Sequence, residues 1–174
     1  MIMRLGNPLR RIFMATLVLC AAGSLNAVAA DQPAAKPKDE VVKVVYHADF
    51  ADPRRFSAML ANIHNMVSTY QSELKEYVVR IVFVSYGIRF VTQDKLAGTP
   101  FAEDAALKQR RAELLARLAT LRDNEGVKLE LCEITREAVQ LPKEKIIPGV
   151  ALVPSGVVRI VELQRQGYAY LKVE

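Results

Sequence analysis

The stretch Leu129-Glu130-Leu131-Cys132-Glu133-Ile134-Thr135 carries a thiol where an apolar, alternating segment runs out. A thiol reacts as its thiolate, and the ordinary cysteine pKa of ~8.5 leaves only a few per cent ionised at neutral pH. A following helix N-terminus or a nearby imidazolium favours the thiolate, whereas Glu133 opposes it. Two readings of Cys132 stand at this point: a reactive sulfur, or a small hydrophobe filling a core. His47, ending the run Val41 to His47, is the second residue able to move a proton or bind a ligand. The chain has two histidines and two cysteines and no HExxH or CxxC spacing, so no metal motif is present; a mixed His47 and Cys132 copper or zinc site, in a non-enzymatic oligomeric binding module with a structural cysteine, is the alternative. GxGxxG, GxxxxGK[ST] and GxSxG are also missing, which leaves nucleotide binding and serine hydrolysis without a motif. Ser85 and Gly87, at the carboxyl end of a long apolar run, are candidate ligand-binding residues, as are Ser155 and Gly156. Pro154-Ser155-Gly156 reads as a strand-to-helix turn whose free N–H groups suit an anion or a sulfur species, or as a plain helix start.

These residues need elements to hold them. Val41–His47 and Glu76–Gly87 are nearly continuous β-branched runs, as expected of strands buried on both faces. Between them Asp52-Pro53 opens a helix, and Phe56, Met59, Leu60, Ile63, Met66, Val67 and Tyr70 recur at helical spacing. Asn62 and Asn65 interrupt that stripe three residues apart. As buried amides they would tie the helix to a loop or a subunit, a structural polar role. Glu103–Gly126 predicts a second helix with Leu107, Leu114, Leu118 and Leu121 inward and its charges solvated. Val127–Cys132 predicts a third strand. A short helix from about Arg136 to Glu144, a strand at Gly149–Val153, a helix opened by Pro154-Ser155-Gly156 and a last strand Tyr168–Val173 follow. The alternation predicts one α/β domain, an open, mainly parallel five-stranded sheet with helices on both faces. In a flavodoxin-like order the first and third strands are neighbours, which would bring His47 and Cys132 to adjacent strand ends, where such sheets bind ligands.

Ahead of this domain, residues 1–30 carry Arg4, Arg10 and Arg11, an apolar run from Ile12 to Leu25 and small residues before Asp31. That order predicts a cleaved signal peptide, since the apolar run is shorter than the ~20 residues that span a bilayer. Arg10-Arg11 admits a twin-arginine route beside the general secretory one. Residues 31–40, DQPAAKPKDE, read as a flexible linker, and 41–174 as the domain. The chain's 24 Lys+Arg less those three arginines leaves 21 against 19 Asp+Glu, a net +2 that gives no ground for nucleic-acid binding. Periplasmic location and no stable membrane insertion after signal removal are therefore expected. Without Cys20, Cys132 is a lone thiol in an oxidising compartment.

Val44-Val45-Tyr46-His47, Leu60-Ala61-Asn62-Ile63-His64-Asn65, Ile81-Val82-Phe83-Val84-Ser85-Tyr86-Gly87, Gly126-Val127 leading to Cys132 and Thr135, and the tail VPSGVVRIVELQRQGYAYLKV together resemble the DsrE/DsrF-like family over about Val41 to Val173. The resemblance implies a compact α/β fold that assembles into homo-oligomers, often trimers or hexamers. It also implies a cysteine, here Cys132, that accepts sulfane sulfur as a persulfide and passes it between donor and acceptor thiols. In a scheme built on that cysteine from this chain's own residues, His47 would assist by hydrogen bonding or proton transfer, the backbone around Ser155 would hold the anion, and no cofactor is required.

Overall fold

The first apolar run, Val42–Ala48, forms β1, and the structure that holds it, a computed structural model, describes residues 41–174. The expected signal peptide at 1–30 and linker at 31–40 lie outside the described residues. Asp52 caps the helix that follows, its carboxylate accepting from the Arg54 N–H at 2.8 Å with Pro53 as the first helical residue. This helix, α1, spans Pro53–Ser72 and buries Phe56, Met59, Leu60, Ile63 and Val67. Strand β2 is Tyr77–Phe83, continued by a 3-10 segment, Ser85–Phe90. Helix α2 is Ala105–Asn124, with Asp104 accepting from the Leu107 N–H at its start and all four predicted leucines buried. Gly126, at φ +70, turns the chain into β3, Lys128–Cys132, a left-handed conformation that glycine adopts without strain.

The expected helix at Arg136–Glu144 begins earlier and stops sooner, as α3, Glu133–Ala138. Glu133 and Arg136, one turn apart, pair at 2.8 Å and favour the early start, while Pro142 lacks the N–H that a longer helix would need. After a 3-10 turn at Lys143–Lys145 come β4 (Val150–Val153), α4 (Gly156–Arg165) and β5 (Ala169–Leu171), the last shorter than the run Tyr168–Val173 predicts.

All five strands are parallel, in the order β4-β3-β2-β1-β5. The α/β class with helices on both faces is as the sequence predicts, but the flavodoxin-like order is not the one formed. The crossovers from β1 through β4 each step one strand the same way, and only α4 returns across the sheet to place β5 beside β1. Strand β2 therefore separates β1 from β3.

Side chains alternate between two layers. Val44, Tyr46, Ala48, Val79, Ile81, Phe83, Leu129 and Leu131 pack with α1 and α2 in the larger core. Val45 and Val82 face the other way, against Ile160 and Leu163 of α4 and Tyr168. In the larger core Phe56 stacks on Phe90 with ring centroids 4.1 Å apart, fastening the 3-10 segment to α1. Arg89, 3 % exposed, reaches Asp104 at 2.6 Å and joins the same segment to the start of α2.

Candidate functional site

Cys132 is the last residue of β3 and the residue that begins α3, so its position is set by the sheet on one side and a helical turn on the other. Alternation along β3 puts Leu131 in the larger core and turns Cys132 toward the α4 face, where it is 4 % exposed. Gly156, the first residue of α4, lies directly over it. A Cβ on Gly156 would stand 3.0 Å from the Cys132 Cβ and 2.5 Å from Val84 Cγ2. The absence of a side chain at residue 156 is thus what lets the helix start meet the thiol-bearing strand. Ser155 caps α4 through its hydroxyl, which accepts from the Val158 N–H at 3.4 Å. The structure therefore brings Cys132, Ser155 and Gly156 together, as the strand-end argument anticipates.

Ser85 belongs to the same end of the sheet. Its N–H donates to Thr135 Oγ1 at 3.0 Å, linking the end of β2 to α3. It does so at φ +53, a left-handed conformation that costs a serine on the order of 1–2 kcal/mol. Gly87 has a different duty. A Cβ there would lie 2.0 Å from the Ala48 carbonyl oxygen, so the glycine permits a close backbone crossing over the end of β1.

His47 stands apart from Cys132. Its register partner is Val82, which pairs with Glu130, two residues short of Cys132. Two strand spacings across and two residues along separate the two Cα atoms by roughly 12 Å, so direct proton exchange between them does not fit this geometry. The expectation that the two meet at adjacent strand ends is overturned by the strand order. His47 is engaged instead with the β5 side: its Nδ1 lies 3.0 Å from the Tyr170 hydroxyl, and its Nε2 lies 3.8 Å from Asp49, which accepts from Lys172 at 2.9 Å. Burial lowers the His47 pKa from the ordinary histidine value; Asp49 opposes that shift and Lys172 adds to it. Burial pushes the Asp49 carboxyl up, but the hydrogen bond from Lys172 and the charges of His47 and Lys172 outweigh it and leave it below the usual range.

Asn62 and Asn65 are exposed on α1, not buried amides within its stripe. Helix α1 is rotated so that Leu60, Ile63 and Val67 face the core and both amides look outward. Sequence reasoning also misses three features. Tyr170 and Lys172 complete the His47 environment, and only their spacing of two hints that they share a face. Glu130, 4 % exposed, accepts from Arg80 and Arg159, joining β3 to β2 and α4. His64 and Glu125 meet across α1 and α2 at 2.7 Å, a contact 61 residues apart in the chain. No cluster of three or more His, Cys, Asp or Glu side chains arranged for a metal occurs among the described residues. No helix among them is long and apolar enough to cross a membrane.

Comparison with known proteins adds two findings. The model of the DsrE/DsrF-like family matches residues 39–173. Among solved structures, a protein of unknown function from Methanobacterium thermoautotrophicum, MTH1491, is similar at a TM-score of 0.56 and 24 % identity, over 75 % of this chain and 98 % of that one. The ychN protein from E. coli aligns over 76 % of this chain and 99 % of its own at 14 % identity, with a TM-score of 0.41. No curated protein matches.

Proposed function

Because the chain belongs to the DsrE/DsrF-like family, which is associated with sulfur relay, we propose that it carries sulfane sulfur as a persulfide on Cys132 in the periplasm. The observation that carries this reading is the seat of Cys132: the end of a central parallel strand, beneath the first residue of α4. The N–H groups at the start of a helix carry partial positive charge and favour an anionic sulfur beside them. In the proposed step the Cys132 thiolate attacks the outer sulfur of thiosulfate, the S–S bond breaks, and sulfite leaves with the bonding pair. An acceptor thiolate then attacks the outer sulfur of the persulfide and returns Cys132 as thiolate. Sulfur changes hands without an external oxidant or cofactor. His47 is too distant to serve as the proton acceptor, which narrows the candidate groups around the sulfur to Ser155, Gly156 and the turn that holds Ser85.

A homo-oligomer, trimer or hexamer, is part of the proposal. It is supported by the exposed apolar side chains Val157, Val158 and Val161 on α4 and Ile134 on α3, each more than half exposed in the single chain.

The burial of Cys132 favours a second reading, a binding module whose cysteine is structural. Intact-protein mass spectrometry after incubation with polysulfide or thiosulfate separates the two. The carrier reading predicts a reducible gain of one sulfur mass that is absent from Cys132→Ser. A Cys132 that gains nothing, and that alkylates only after unfolding, assigns it to the core.

A further inference from the structure

A second site lies on the opposite face of the molecule, between α1 and α2. The two helices leave a cavity of about 280 Å³ with Leu60, Ala61 and Leu121 in its lining and His64, Asn65 and Glu125 among its polar groups. Glu125 is the informative residue. It sits just past the end of α2, and its side chain is only 10 % exposed. Oε1 accepts from His64 Nδ1 at 2.7 Å, whereas Oε2 is buried and has no hydrogen-bond partner among the described residues. A buried carboxylate oxygen left without a donor is costly, on the scale at which proteins ordinarily recruit a partner. The arginine of the lining, Arg117, is already committed to Ser57 and to Glu113. His64, donating from Nδ1, presents Nε2 as a second acceptor.

We propose that this cavity binds a small organic amine: an ammonium that pairs with the Glu125 carboxylate, attached to an apolar body resting on Leu60 and Leu121. The volume suits a molecule of roughly ten to fifteen heavy atoms or fewer, at the low end of the usual range for small-ligand pockets. The charge of the carboxylate selects ammonium over carboxylate, and the apolar lining selects a hydrocarbon body over a bare ion. The site is separate from Cys132 and does not depend on the sulfur reading.

The test uses 2-phenylethylamine, with 2-phenylethanol as its neutral counterpart and 3-phenylpropionate as its anionic one, titrated into the full domain while methyl resonances of Leu60 and Leu121 are followed by NMR. The amine is expected to shift both, and more tightly than the alcohol, while the anion leaves them unmoved. Glu125→Gln is expected to weaken the amine about tenfold to a hundredfold, as loss of a hydrogen bond to a charged group implies, without doing so for the alcohol. Ala61→Phe, which fills the cavity from α1 and leaves the carboxylate in place, is expected to abolish binding at an unchanged melting temperature. Equal binding of amine and alcohol, an amine affinity indifferent to both substitutions, or no shift at millimolar amine overturns the proposal. Shifts of the same methyls on raising protein concentration alone would assign the groove to a second copy of the chain and overturn it too.

Discussion

At the scale of the residue, His47 illustrates how position changes a side chain's work. Its apparent suitability as a partner for Cys132 came from both residues ending strands, but its nearest polar atoms belong to Tyr170 and Asp49. Burial holds its pKa below the ordinary value of about 6.5, so in the window between the two the unfolded chain binds a proton that the native protein refuses. Stability should therefore fall as pH drops from about 7 through that window. Asp49 acts elsewhere: with its pKa below the usual carboxylate range, its contribution is present above that range and is lost only as pH falls below about 4. Urea unfolding at pH 7.5 and 5.5 is expected to show a smaller pH-dependent loss for His47→Gln than for the parent. An equal loss in both proteins would remove His47 as the source.

At the scale of the element, α4 is fixed to the sheet by more than its apolar stripe. Only Gly156, Ile160 and Leu163 of this ten-residue helix are buried, and the Glu130 carboxylate beneath it holds Arg159 from α4 and Arg80 from β2. Removing Glu130 strands two partly buried cations, so Glu130→Ala should cost about 3–5 kcal/mol in chemical denaturation, the range for breaking a buried ion pair. A loss below 1 kcal/mol would mean that the arginines find water instead. The helices themselves were legible in the sequence: the leucine spacing of α2 and the Asp52-Pro53 start of α1 each report a local preference. The strand order was not, because the choice between 2-1-3 and 3-2-1 is made by which face each crossover helix covers, a property of pairs of distant segments. The same limit explains the site. That Cys132 and Ser155-Gly156 gather at one end of the sheet follows from alternation of strands and helices, whereas the distance from His47 to Cys132 depends on a strand order the chain does not spell out. The opposite misjudgement, burying Asn62 and Asn65, arose from reading a helical stripe one position too wide.

At the scale of the whole molecule, the two faces of the sheet are unequally clothed. Two twenty-residue helices cover one face, and a single ten-residue helix, with valines on its outer side, lies on the other. If that outer side is the contact between copies, Val161→Arg together with Val157→Arg should lower the mass seen by sedimentation to that of one chain while leaving the circular dichroism spectrum unchanged. An unaltered mass would move the interface to the strand edges. The sheet also has a temporal consequence, lodged in β5. Strands β1, β2, β3 and β4 can pair in turn as successive strand-helix-strand crossovers close, but the bond between His47 and Tyr170 spans 123 residues, and loop closure over that distance is slow to be rewarded. Until β5 arrives, β1 is an open edge reading VKVVYHA, β-branched and nearly free of charge, the kind of edge to which another unfolded chain adds most readily. The three exposed residues of β5 thus act as a late-closing cover, and crowding of unfinished chains is the condition this topology tolerates least.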